Sequence, residues 1–298
     1  MPIYANIPVV LVVAGDKIEQ LCAVIFALHK HCGFSRFYLI VPSGDVVAAK
    51  RVAAPVGCIL NIVDETEIVE NLNFKAVSDD LARKLSREDA NGFAGWYLQQ
   101  FLKMGFCNYI VGEKYYLIWD ADTLLLRSIS FFDGGKVLLT QGREYHDEYF
   151  KMVSRILPDV PIPKVSHISQ HLMVEVAEMR QLIAALSSPA GRWWQNIVSN
   201  ILGGDPRQFS EYETYAAYVL TRRSDRYRSL RRNWSRWGNA FFGVPLGEAR
   251  ASILAPFYEY VAFEDWDRPV LVRRVRAWIS VFFDVLGVLW FGRGARLK

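Results

Sequence analysis

The strongest constraint on the fold is an alternation that runs through the first 140 residues. Short runs of large apolar residues are separated by segments with helical spacing, and several of the runs stop on an acid. "IPVVLVVAG" is unbroken and is closed by Gly15 and Asp16. A strand with one wet face alternates apolar and polar residues, so an unbroken run marks a strand buried on both faces. From Lys17 to about Cys32 the apolar residues fall at helical spacing. "RFYLIVPSG" is a second strand with a Pro-Ser-Gly stop, and "VGCILNIVDETEI" is a third that ends in acids. "GWYLQQFLKMGF" reads as a helix, with Trp96, Phe101 and Met104 among its apolar positions. "YYLIWDAD" is a fourth strand and "KVLLTQ" another. Strands in this order, joined by helices, predict an α/β fold with a mostly parallel sheet and helices on both faces. Ligands in such sheets collect beyond the carboxyl ends of the strands. Asp16, Asp64 and the pair Asp120 and Asp122 all occupy such ends.

The fourth strand poses a chemical question, because large apolar residues give way to two aspartates one residue apart. In extended chain, residues i and i+2 point the same way, so both carboxylates can face one side of the sheet edge. Paired carboxylates suit a hard divalent cation, which completes its shell with water and phosphate oxygens and can neutralise a diphosphate leaving group. The plainer reading is a turn opened by two aspartates. A second D-x-D, Asp265-Trp266-Asp267, shows that the pattern alone is weak, but only the first follows a strong strand.

"YLIWDADTLLLR", preceded by Gly95, Trp96, Tyr97, Gln99, Gln100 and Lys103, resembles the metal-dependent bacterial glycosyltransferases of the GT-A fold. "SQHLMV" and "SEYETY" extend the resemblance over roughly residues 7–220. It implies a GT-A-like, mostly parallel Rossmann-type sheet flanked by helices. It also implies Mn²⁺ or Mg²⁺ held against a nucleoside-diphosphate sugar, with Asp120 reaching ribose or metal and Asp122 binding metal. Asp16 and Asp64 would line the nucleotide pocket, and Gln100 and Lys103 would touch phosphate or sugar. Members of that group often add a histidine near the C-terminus as a further metal ligand, but this chain has none after His171. The third ligand would then be His171 or His167, or an acid such as Asp265, unless the aspartate pair acts alone.

Ser210-Glu211-Tyr212-Glu213 has the S-x-x-E spacing of a helix capping box, which gives Glu213 a structural task and leaves Glu211, in the first turn, free to face a pocket. By the same resemblance, Glu211 is the candidate base for the acceptor hydroxyl of an inverting enzyme. Retaining chemistry would need no such base.

A chain of 298 residues, 52% hydrophobic and 22% charged, can bury a sizeable core. Its four cysteines form no C-x-x-C pair and read as free thiols, and the N-terminus lacks the basic start of a signal peptide. The net charge of +4 is unevenly placed: residues 268–298 hold seven Lys or Arg and one acid, a balance of +6, so the first 267 residues sum to −2. We therefore expect a catalytic domain over 1–267 and a basic tail over 268–298. The tail's apolar stretch, residues 277–291, is too short to span a bilayer, which takes about 20 residues. As a helix it would carry Arg273, Arg276, Ser280, Asp284 and Gly287 on one stripe and aromatic residues elsewhere, a pattern suited to lying in an anionic membrane surface. Upstream, "RRSDRYRSLRRNWSRW" holds seven arginines. It carries no recognised nucleic-acid motif, and suits a phosphate-bearing lipid acceptor or an anionic membrane surface, the plainer alternative being a solvated basic face. Together with the basic tail, the resemblance implies transfer of a sugar to a glycan or lipid-linked acceptor, on the inner face of the cytoplasmic membrane, in envelope polysaccharide synthesis. Alternatives are a sugar nucleotidyltransferase, disfavoured by the single glycine in "VAGDKIEQ", and an inactive membrane-bound scaffold that binds sugar nucleotides.

Overall fold

The computed structural model describes residues 4–187, 191–239 and 254–264. The tail over 268–298, Asp265 and the second D-x-D lie outside the described residues. In chain order the strands are β1 (Pro8–Val12), β2 (Arg36–Val41), β3 (Ile59–Asp64), β4 (Tyr115–Trp119), β5 (Thr123–Leu125), β6 (Phe132–Asp133), β7 (Lys136–Thr140), β8 (His171–Glu175), β9 (Tyr227–Leu230), β10 (Trp234–Ser235) and β11 (Tyr260–Ala262). The helices are α1 (Leu21–Cys32), α2 (Val46–Ala49), α3 (Phe74–Leu81), α4 (Arg87–Tyr109), α5 (Asp147–Ile156), α6 (Val176–Leu186), α7 (Trp193–Ser199) and α8 (Glu211–Arg222).

The main sheet has the order β3-β2-β1-β4-β8. The unbroken apolar run of β1 pairs in parallel with β2 on one side and β4 on the other, which explains why Val9, Val10 and Leu11 are fully buried. β8 closes the sheet antiparallel to β4, with His171 opposite Trp119. From β1 the chain builds outward through β2 to β3, then crosses back to place β4 on the other side of β1. The order therefore reverses between β1 and β4, and the crevice beyond their carboxyl ends is where a doubly wound sheet binds ligand.

Two smaller sheets flank this one. β7, expected from its apolar run as one more strand of the main sheet, instead pairs with β6 and β9. Its burial is the same in either place, so the pattern did not distinguish them. The other small sheet carries β5, β11 and β10 in adjacent positions. There β11 runs antiparallel to β5, and the Phe263 amide donates to the Asp122 carbonyl at 2.8 Å. A segment 140 residues downstream is thereby laid against the residues that follow β4.

α4 is a single rod of 23 residues preceded by its cap Ser86, whose hydroxyl accepts from the Asp89 amide at 3.0 Å. Its second half is buried against α6, α8 and β1. Gly105 permits the close packing there: a Cβ at that position would stand 2.3 Å from the Val69 side chain. All four cysteines are free, and among the described residues no helix is long and apolar enough to cross a membrane.

Candidate active site

A cavity of about 1180 Å³ opens at the reversal point. The ends of β1 and β2 line one side through Val12, Val13, Ala14 and Pro42, α4 forms a long wall, and Asp120 to Asp122 and the start of α8 form the floor.

The aspartates enter at a turn, as their sequence implies. The Thr123 amide donates to the Asp120 carbonyl at 3.0 Å, and the Asp120 amide donates to the Gln170 carbonyl at 2.9 Å. Gln170 holds φ at 66°, a left-handed conformation that a residue with a side chain adopts at a cost. In that pose its side-chain amide donates to Glu264 at 3.0 Å.

Lys103 is the hub of the floor. Its ammonium lies 2.6 Å from Asp120 Oδ1 and 2.9 Å from Glu211 Oε1, and 5.4 Å above the Tyr212 ring. The Tyr212 hydroxyl donates to the same Asp120 oxygen at 2.9 Å. Gln100 holds the helix start, its carbonyl oxygen accepting from the Glu211 amide at 3.1 Å. Burial alone would lower the Lys103 pKa, but the Asp120 and Glu211 carboxylates outweigh it and keep the ammonium charged. Burial pushes the Glu211 carboxyl up, with Lys103 opposing and Asp120 adding to the push.

Asp122 is raised to about 7, first by burial and then by the charges of Asp120 and Glu264, against the pull of Lys17 and Lys103. Glu264 is in turn gripped by Arg236, whose Nε and Nη2 donate to its two oxygens at 2.6 and 2.8 Å. Asp120, Asp122 and Glu264 line the same cavity, and the mutual repulsion of their carboxylates is one that a divalent cation would relieve. The residues therefore fit Mn²⁺ or Mg²⁺ in the form that uses one or two carboxylates, water and substrate oxygens. Among the described residues, no three His, Cys, Asp or Glu side chains converge as a complete ligand set.

Of the residues singled out from sequence, Gln100, Lys103, Asp120, Asp122 and Glu211 come together around the cavity. The others stand elsewhere. Asp16 is exposed on the turn after β1, and its neighbour Lys17 lines the cavity in its stead. Asp64 caps the turn after β3, accepting from the Thr66 amide at 2.9 Å, while the adjacent Glu65 lines the cavity. His171 is caged behind the floor by Trp119, Phe131 and Tyr260. Its Nδ1 donates to the Ser169 carbonyl at 3.0 Å, so Nε2, 3.1 Å from the Thr140 hydroxyl, is the acceptor. Burial lowers its pKa to about 3, and neither nitrogen is turned to the aspartates. His167 bonds to Ser229 at 2.8 Å, also within the protein.

Glu213 departs from the expected capping box. Ser210 does accept from the Glu213 amide, at 3.3 Å, but the Glu213 carboxylate accepts from the His167 amide at 2.9 Å rather than reaching back. It is fully buried, and burial raises it to about 7. The arginine run is partly a solvated face, with Arg222, Arg228 and Arg231 exposed, and partly tied into the fold by ion pairs. Arg223 and Arg226 pair with Glu178 and Glu175, Arg228 with Asp133, Arg232 with Glu259 and Arg236 with Glu264. These pairs stitch the fold together. Lys17, Tyr212, Arg236 and Glu264 were not anticipated as site residues; the Tyr212 position beside Glu211 was the one local signal.

The sequence matches, over residues 14–235, a family described as a family of unknown function (DUF6492). The chain belongs to that family. No protein with a curated description matches this member in sequence. Among solved structures, the apo form of mouse xyloside xylosyltransferase 1 is similar to it, with a TM-score of 0.50 and 13% identity. The similarity covers 89% of this chain and 99% of the mouse one. At that identity the likeness concerns the fold, which is α/β and GT-A-like.

Proposed function

We propose that the chain is a metal-dependent glycosyltransferase that moves a sugar from a nucleoside diphosphate to a hydroxyl acceptor. The observation that carries this reading is the gathering of Asp120, Asp122, Lys103 and Glu211 around one cavity at the reversal point of a GT-A-like sheet. The nucleoside would rest over the ends of β1 and β2, and the diphosphate would face Asp120, Asp122 and Lys17. Bound through Asp120 and Asp122, Mn²⁺ or Mg²⁺ would supply positive charge to the diphosphate leaving group. Glu211, buried and pushed up in pKa, is suited to take the acceptor hydroxyl's proton. Lys103 fixes the position of that carboxylate relative to Asp120. In this reading a basic tail at residues 268–298 brings the enzyme to the inner face of the cytoplasmic membrane, where glycan or lipid-linked acceptors of envelope polysaccharides are assembled.

The test is a thermal-shift screen of nucleoside diphosphates with and without Mn²⁺. At least one should raise the melting temperature in a Mn²⁺-dependent way, and Asp122→Ala should abolish that rise while the protein remains folded. The same stabilisation in Asp122→Ala would overturn the metal assignment. No shift with any diphosphate would overturn the function.

A further inference from the structure

The end of the cavity near Trp96, seven residues along α4 from Lys103, is shaped. Trp96 and Tyr149 line it with near-parallel rings, 6.3 Å between centroids and 23° apart, and His146 stands edge-on to Tyr149 at 5.3 Å. The assembly is braced from behind. Trp96 packs edge-on against the buried Tyr97, whose hydroxyl donates to the Pro206 carbonyl at 2.7 Å. Among the described residues the Tyr149 hydroxyl has no hydrogen-bond partner. The helix beside it is bare: a Cβ on Gly92 would meet nothing within 4 Å, and one on Gly95 only Phe74 at 3.9 Å. Both glycines line the cavity.

Aromatic faces with a hydroxyl at the margin match a pyranose ring, which presents C–H groups on its faces and hydroxyls at its rim. The charge argues for a neutral sugar. Two cations act on Tyr149, and both are engaged: Arg236 is tied to Glu264 and, through Nη1 at 2.8 Å, to Glu144, and Arg207 to Asp205 at 3.1 Å. The fold argues against a nucleobase, since the nucleoside belongs on the opposite side, over β1 and β2. Trp96 lies seven residues from Lys103 on α4, a rise of about 10 Å, which is longer than one sugar ring.

We propose that Trp96 and Tyr149 form an acceptor subsite for a neutral pyranose beyond the reacting unit, so that the acceptor is an oligosaccharide rather than a single sugar. This rests on the glycosyltransferase reading.

The experiment is saturation-transfer NMR on the full chain with lactose, maltose, cellobiose and xylobiose, each beside its methyl monosaccharide, run in parallel with the diphosphate thermal shift. At least one disaccharide should bind and its monosaccharide should bind at least tenfold more weakly. Trp96→Ala should weaken the disaccharide about tenfold and Trp96→Phe much less, with the diphosphate shift unchanged in both. Should Trp96→Ala not fold, Gly92→Leu fills the same space without removing any packing, and it should abolish disaccharide binding alone. A diphosphate shift in the parent protein without any disaccharide signal overturns the subsite and leaves the function standing. Loss of the diphosphate shift in Gly92→Leu, with sugars unaffected, assigns the wall to the nucleobase and overturns the subsite. Absence of both signals in the parent protein overturns both readings.

Discussion

Removing the Lys103 ammonium tests the electrostatics of the floor directly. Lys103→Met keeps the apolar stem but leaves two carboxylates facing a site with no charge between them. Side-chain exposure is 4% for Lys103, 3% for Glu211 and 19% for Asp120, so Glu211 takes the larger loss. Breaking a buried ion pair from one side typically costs about 3–5 kcal/mol, because the remaining charge stays desolvated. With an unfolding entropy of roughly 2.1 cal/mol/K per residue over 298 residues, the melting temperature should fall by about 5–8 °C. Glu211→Gln alone should cost less, since Lys103 keeps Asp120 at 2.6 Å. Adding Glu211→Gln to Lys103→Met removes the stranded charge without changing volume, and should restore half or more of the loss. The assay is urea denaturation of the parent, both single variants and the double variant, read as a coupling energy. If the double variant is as unstable as the sum of the singles, Glu211 carries no charge that Lys103 compensates, and the account of the floor fails.

Glu211→Gln should also reduce turnover on the order of 10²–10⁴-fold with little change in donor affinity; unchanged turnover would point to retaining chemistry or another base. The folded chain holds the Glu213 proton up to about 7, whereas the unfolded chain releases it near the ordinary glutamate value of about 4.3. Stability should therefore fall as pH rises through that window and level off above it, a contribution of about 4 kcal/mol. Glu213→Gln should flatten this part of the profile and be more stable than the parent at pH 8; parallel melting curves for the two proteins from pH 5 to pH 8 would refute it. The 268–298 tail should give co-sedimentation with anionic vesicles that weakens with salt and is lost on truncation before Arg268; equal binding by truncated and full-length protein would remove the membrane assignment.

Much of the scaffold was legible because its signals are local. The short unbroken runs of β1, β2 and β4, bounded by turn residues, fit doubly covered strands, and Ser210 marks the start of α8 by its own chemistry. The aspartates after β4 were legible by residue type and position, whereas Lys103 on α4 was reached only through the family resemblance. What was hidden depends on contacts distant in sequence. β7 has the same apolar pattern whichever sheet takes it. Glu264 reaches Asp122 only because β11 lies against β5, a pairing that no local pattern announces. His171 has a ligand's chemistry, but its cage of Trp119, Phe131 and Tyr260 comes from three separate segments. Asp16 and Asp64 sit at strand ends as read, yet turn geometry hands the cavity to their neighbours Lys17 and Glu65.

Because α4 is one uninterrupted rod, it works as a measuring stick with Lys103 at one mark and Trp96 at another. Each residue advances the helix about 1.5 Å and turns it about 100°. A single insertion between those marks would do more than lengthen the gap: it would swing Trp96 about a quarter-turn away from the opening while Lys103 stayed in place. Side chains on the outer faces of this helix can change freely, but its count of residues cannot. Under the proposed subsite, the distance from Lys103 to the far end of an acceptor would be written as a number of residues, and a relative with a longer or shorter interval there should take a different acceptor length or rebuild the wall.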